Sequence, residues 1–118
     1  MNSIRTALVV DDDQSTRLLL EKFLQRQGYE VDLAADGEAG IAMLTKRSYP
    51  LVMLDLMMPR VDGLGVLSFL REHRPEQIQR VIIITAYPRQ LSVDPGVCAI
   101  VSKPFTIQTL RDVLRNCA

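Results

Sequence analysis

Along the chain, short unbroken apolar runs alternate with longer stretches of helical periodicity. Ala7-Leu8-Val9-Val10 stops abruptly at Asp11-Asp12-Asp13, and Leu51-Val52-Met53-Leu54 stops at Asp55. Val81-Ile82-Ile83-Ile84 ends at Thr85, and Ala99-Ile100-Val101 ends at Ser102-Lys103-Pro104. Apolar runs without polar alternation suit strands covered on both faces, as in a parallel sheet. Glu30 to Ala34, where Val31 and Leu33 alternate with Glu30 and Asp32, reads as one further strand.

The stretches between these runs carry helical spacing. After Asp13, a plausible N-cap, Leu19, Leu20, Phe23, Leu24 and Gln27 recur at that spacing, and Gly28 suits the position after a helix end. Asp36-Gly37 reads as a turn, and Glu38 to Lys46 places Ala39, Ala42 and Met43 on one face. Asp62 caps a helix running to about Glu72, with Val66, Leu67 and Leu70 inward. Thr106 opens a last helix, with Leu110, Val113, Leu114 and Cys117 at i, i+3, i+4 and i+7.

Strand-helix alternation implies right-handed crossovers and an α/β fold, a parallel sheet with helices on both faces. One segment breaks the rhythm. Tyr87-Pro88-Arg89-Gln90-Leu91-Ser92-Val93-Asp94-Pro95-Gly96 holds two prolines, and Pro95-Gly96 closes the window within two turns. A loop or one short turn is expected there, not a full amphipathic helix.

The 118 residues make one ordinary domain, large enough to fold without a disulfide or metal staple. No composition shift, repeat or low-complexity stretch divides them. Fourteen Lys plus Arg balance fourteen Asp plus Glu, so bulk electrostatics argue against nucleic acid and anionic membrane as direct partners. No apolar run approaches a membrane span, and Met1 to Arg5 leads into a strand without a signal-peptide core. Cys98 and Cys117 are too few for a disulfide framework or zinc site, and are expected to stay thiols in a reducing cytoplasm.

In an open α/β sheet, ligands bind at the carboxyl ends of the strands. The residues at those ends therefore make the candidate site: Asp11 and Asp12, Asp55, Thr85, and Lys103. Carboxylates forced together repel one another unless a cation neutralises them. An all-oxygen set suits a hard divalent cation, with Mg²⁺ foremost among physiological choices. Such a cation and Lys103 would attract a phosphoryl group, and Thr85 would hydrogen-bond one of its oxygens. A carboxylate facing that group is a competent nucleophile for an acyl phosphate.

The residues Val9-Val10-Asp11-Asp12-Asp13, Leu54-Asp55-Leu56-Met57-Met58-Pro59 with Asp62-Gly63, Thr85-Ala86 and Lys103-Pro104-Phe105 stand in order at strand ends. With them the chain resembles, over nearly its whole length, the receiver domain of two-component response regulators. The resemblance implies a doubly wound, flavodoxin-like five-stranded sheet of order 2-1-3-4-5, with residues 1–118 as one receiver domain. It implies Asp55 as phosphoacceptor for a histidine kinase or phosphotransfer protein. Asp12, Asp55 and the backbone carbonyl of Met57 would bind Mg²⁺ directly, and Asp11 through a water. Lys103 would pair with the phosphoryl group, and Thr85 would swing toward it, switching a surface read by a downstream effector or output domain. The Lys103-Pro104 peptide is similar to one held cis in the family. Asp13 matches the helix-capping position, not a ligand. Met57 and Tyr87 match two positions flanking the acyl phosphate. Bulk there would screen water and give a fairly long-lived phosphoryl group.

The chain departs from the family pattern twice. Ile100 stands where Tyr or Phe is usual, which removes the aromatic element of the usual readout. From Thr85 to Lys103 is 18 positions, about a helical turn short of the usual spacing, so the fourth helix should be shortened or absent. Order and disorder of Tyr87 to Val97 would then replace a rigid helix shift.

Simpler readings stand beside these. Taken singly, Asp11-Asp12-Asp13 is a solvated turn, Asp55 a turn residue, Thr85 a strand-end cap and Lys103 a loop lysine; their joint occurrence favours the site. His73 fits a helix C-terminus, Met53, Met57 and Met58 fit packing, and Arg71, Arg74, Arg80 and Arg89 fit scattered surface charge. Leu19, Leu20, Phe23 and Leu24 exceed the needs of one core face and would suit kinase docking. The leading expectation is a phosphoacceptor switch, not an enzyme, whose only chemistry is auto-phosphotransfer and autodephosphorylation. A pseudo-receiver that binds partners without phosphorylation is the main rival. A haloacid-dehalogenase-like phosphohydrolase is disfavoured, because the chain is too short for a cap and a further acidic motif. A flavodoxin lacks support, since no Ser/Thr/Gly-rich loop follows the first strand.

Overall fold

The computed structural model describes residues 4–88 and 96–117. The elements are β1 (Arg5–Val10), α1 (Gln14–Arg26), β2 (Tyr29–Ala34), α2 (Gly37–Lys46), β3 (Leu51–Leu54), α3 (Gly63–His73), β4 (Val81–Thr85), β5 (Ala99–Ser102) and α4 (Ile107–Cys117). The five strands are parallel, in the order β2-β1-β3-β4-β5. This is the doubly wound order that the resemblance to receiver domains implies.

Successive residues of each central strand point to opposite faces, and both faces are buried. Leu8, Val10, Val52, Leu54 and Ile83 pack with Leu44 of α2 and Val66, Leu67 and Leu70 of α3. Ala7, Val9, Met53, Ile82 and Ile84 pack instead with Leu20, Phe23 and Leu24 of α1 and with Leu110 and Leu114 of α4. This double cover explains why the strands read as continuous apolar runs.

Helix starts follow the aspartates. Asp13, Asp36 and Asp62 each accept a hydrogen bond from the backbone N–H three residues on, at Thr16, Ala39 and Gly65. The hydroxyl and amide of Thr16 hold the Asp13 carboxyl below its usual range. Gly28 follows the end of α1 with φ 94°, a left-handed conformation that glycine adopts without penalty.

Three expectations need correction, and one element is added. The buried face of α2 is Gly37, Gly40 and Leu44; Ala39 and Met43 are half-buried, and Ala42 is exposed. Tight approach decides the rotation, since a Cβ on Gly40 would stand 3.0 Å from the Val10 side chain. A 3-10 helix, Pro75–Arg80, joins α3 to β4 and is too short to show a period. In it the buried Gln77 accepts from the Tyr49 N–H and donates to the Tyr49 carbonyl, both at 2.8 Å. Arg74 is not loose surface charge: it donates to the Ser48 hydroxyl at 2.8 Å and the Thr45 carbonyl at 3.0 Å, tying α3 to the end of α2.

The third correction concerns the cysteines. Cys98 and Cys117 form a disulfide, with Cα atoms 5.9 Å apart across a sequence separation of 19. Because α4 runs back along the sheet, its last residue returns to the base of β5, a closure that cysteine counting misses. The expected loss or shortening of a helix between β4 and β5, the order–disorder reading of that segment, and Arg89 all turn on residues 89–95, which lie outside the described residues.

Candidate functional site

Strand register brings the candidate residues level. Val10 pairs with Leu54 across β1 and β3, so Asp11 and Asp55 leave the sheet side by side. The strand order reverses between these two strands, which is where an open sheet forms its ligand crevice. The ladder continues past the strands: Asp11 N–H donates to Ala34, Asp55 N–H to Val10, and Lys103 N–H to Thr85. β5 lies two strand spacings from β3, roughly 9.5 Å, a gap that a lysine side chain spans. The Lys103-Pro104 peptide is cis.

One carboxylate oxygen from each of Asp11, Asp12 and Asp55 lies within 4.8 Å of the others. Asp11 is 1% exposed and Asp55 5%, while Asp12 faces solvent. The Lys103 ammonium sits 3.2 Å from Asp11 Oδ2 and 3.6 Å from Asp55 Oδ2. The Met57 N–H donates to Asp55 Oδ1 at 3.2 Å. Thr85 is buried at the end of β4, beside Lys103 on the sheet edge, but its hydroxyl accepts from the Tyr87 N–H at 3.0 Å. The structure thus gathers three carboxylates and the lysine into one cluster and leaves the threonine hydroxyl turned to its own loop.

One ammonium faces three carboxylates, so charge is unbalanced. The Asp55 carboxyl is held above its usual value, first by burial and next by the Asp11 charge, with a smaller push from Asp12. Lys103 and the Met57 amide oppose the rise without cancelling it. An all-oxygen pocket with surplus negative charge suits a hard divalent cation.

A family model of the response regulator receiver domain matches residues 7–115. The chain belongs to the response regulator receiver family. Among its relatives is the response regulator ArlR of Staphylococcus saprophyticus, 35% identical over 107 residues, covering 87% of this chain and 47% of ArlR. Sporulation initiation phosphotransferase F of Bacillus subtilis is 34% identical over 113 residues, covering 92% of this chain and 90% of that protein. The solved structure of TrrA from Thermotoga maritima, in complex with Mg²⁺-BeF, superposes with TM-score 0.86 at 32% identity, covering 98% of this chain and all of TrrA. The receiver domain spans about half the length of the ArlR relatives it matches.

Two contacts of this receiver site escape sequence reasoning. Arg17 reaches back from α1 and donates to the Asp11 carbonyl at 2.8 Å, holding the first acidic turn. Gly63, quoted from sequence with the receiver motif but given no contact there, abuts the Asp55 backbone: a Cβ there would lie 2.4 Å from the Asp55 carbonyl oxygen. Nothing in the local sequence signals either contact, because both depend on how α1 and α3 dock. Met57 and Tyr87 are 44% and 55% exposed at the rim, and Ile100 is exposed on β5.

The charge surplus makes a testable demand on stability. Because the folded Asp55 carboxyl takes up its proton at a higher pH than the unfolded one, stability falls as pH rises from the unfolded value toward the raised one. The penalty then persists at neutral pH. Asp55→Asn removes it. In chelator at pH 7 the variant is expected to melt a few degrees above wild type, and the gain should vanish below about pH 4. Thermal melts across pH check both the sign and the window.

Proposed function

We propose that this receiver domain takes a phosphoryl group onto a carboxylate oxygen of Asp55 from the phosphohistidine of a kinase or phosphotransfer protein. The Asp55 oxygen attacks phosphorus, the phosphorus–nitrogen bond breaks, and the imidazole nitrogen leaves with the electron pair. Lys103 faces the incoming group and balances its charge. Asp12, Asp55 and the Met57 carbonyl are assigned to Mg²⁺, with Asp11 acting through a water. When bound, the metal supplies charge neutralisation to a phosphoryl oxygen. Thr85 is assigned to follow the phosphoryl group inward, giving up the Tyr87 amide and so altering the loop after β4. The domain thereby acts as a cytoplasmic switch on a downstream effector or output domain, not as an enzyme turning over a separate substrate.

The observation that supports this reading is the buried Asp55 carboxylate at the sheet's reversal point, beside Asp11 and within 3.6 Å of the Lys103 ammonium. Intact mass after incubation with Mg²⁺ and acetyl phosphate tests it. Gain of one phosphoryl group is expected, lost with chelator and with Asp55→Asn. Turnover of a phosphomonoester would instead support a hydrolase, and no gain from either acetyl phosphate or a phosphorylated kinase would favour a pseudo-receiver. With Met57 and Tyr87 at the rim, the modified form should persist for minutes or longer. Loss within seconds would remove their screening role.

A further inference from the structure

We infer that Cys98 and Cys117 form a reversible thiol–disulfide site, a redox input to the β5–α4 face separate from the phosphoryl input at Asp55. The inference rests on the cytoplasmic reading of the proposed function. In a reducing compartment a disulfide is usually transient and redox-sensing, whereas a permanent staple belongs to oxidising surroundings.

Geometry supplies the rest. The Cα separation of 5.9 Å lies in the range that a disulfide spans without backbone movement. Cys98 is pinned at the base of β5, where its N–H donates to the Val81 carbonyl at 2.9 Å. Cys117 ends α4 and is buried, while Cys98 is half-buried and open to a small oxidant. Both side chains pack in the same apolar cluster as Leu110 and Leu114, which hold α4 to the sheet whether or not the sulfurs are joined. The folded state therefore accommodates both redox forms. What changes is the last turn of α4, tied to β5 when oxidised and held by packing alone when reduced.

The ring closed by the bond contains β5, Lys103 and all of α4. Lys103 stands five extended residues beyond Cys98, roughly 16 Å away, so the sulfurs do not touch the acceptor site. Any influence on it runs along β5. The oxidant fits the class of low-molecular-weight disulfides. One thiolate attacks the oxidant's sulfur and expels a thiolate, and the second thiolate then displaces the other half from the mixed disulfide. Two protein thiols and one external disulfide thus become one protein disulfide and two external thiols, which take up the two protons.

The test treats fully reduced protein with oxidised glutathione and then with excess reduced glutathione, reading intact mass and free thiols by alkylation. The expected product is monomeric and lighter by two hydrogens, returns to two thiols on reduction, and does not form in Cys98→Ser or Cys117→Ala. Amide exchange across residues 113–117 should be about tenfold slower when oxidised. A stable glutathione adduct, a disulfide-linked dimer, a bond that excess reduced glutathione fails to open, or equal exchange in both forms overturns the proposal. Acetyl phosphate with Mg²⁺ is run on both forms. Failure to modify Asp55 in either would count against the phosphoacceptor reading and leave the thiol result standing.

Discussion

Lys103→Met is expected to slow phosphoryl uptake from acetyl phosphate by about 100-fold or more, the usual effect of deleting one preorganised positive group from a site of developing charge. Among the described residues Lys103 is the one cation within 4 Å of the Asp11 and Asp55 carboxylates. In the proposed transfer, negative charge spreads over oxygens that the surrounding carboxylates repel, which places the ammonium where that charge would be greatest. Methionine keeps most of the aliphatic stem and removes the charge. Its loss also leaves the carboxylates unopposed in the metal-free protein. The lysine side chain is 23% exposed, so the cost should fall below that of breaking a fully buried pair, at about 1–3 kcal/mol. Added Mg²⁺ should recover much of that stability but not the rate. Melts with and without metal, beside mass-resolved uptake, separate the two roles. An unchanged rate would reduce Lys103 to a structural counter-ion.

Legibility followed the range of the interactions. Strands buried on both faces announce themselves in Ala7 to Val10, Leu51 to Leu54 and Val81 to Ile84, because burial on alternate faces demands an apolar residue at every position. Caps are equally local: Asp13 and Asp62 satisfy amides three residues on, and their chemistry is visible from spacing. Asp11, Asp12, Asp55 and Lys103 were legible as a cluster because strand ends in a doubly wound sheet share one edge, and the resemblance to receivers ordered them.

What stayed hidden depends on docking between distant elements. Gly40 turns α2 because Val10 presses against it, which no periodicity records. Gln77 looks like any polar residue after a helix, yet it satisfies the buried Tyr49 backbone from 28 residues away. The Cys98–Cys117 bond needs the return path of α4 over the sheet. Thr85 was placed at the correct edge, but the direction of its hydroxyl, set by the Tyr87 amide, is a property of the loop.

Gly63→Ala carries the largest expected loss of stability among single-methyl changes at the site, about 3 kcal/mol. The added Cβ would stand 2.4 Å from the Asp55 carbonyl oxygen and 2.7 Å from the Leu56 Cα, both backbone atoms that cannot rotate away. The same residue donates its N–H to the Leu56 carbonyl at 2.9 Å, so α3 begins directly against the strand end that carries Asp55. Relief requires α3 or the Asp55–Leu56 peptide to retreat by about an ångström, a displacement that alone can cost 100-fold in a positioned reaction. Uptake of phosphoryl should therefore fall even where the variant is fully folded by circular dichroism. Gly65→Ala is the control. A Cβ there meets the Val61 side chain at 3.0 Å and no backbone atom, and alanine gains about 1 kcal/mol of helix propensity over glycine. It should melt within about 1 kcal/mol of wild type with its uptake rate intact. Equal behaviour of the two variants would mean that the start of α3 does not set the position of Asp55. On the other side of the same loop, a Cβ on Gly37 would lie 2.1 Å from the Val61 carbonyl oxygen. The loop after Asp55 is thus gripped by the first residues of both α2 and α3, so any movement of Asp55 must be felt by the two helices that cover this face of the sheet.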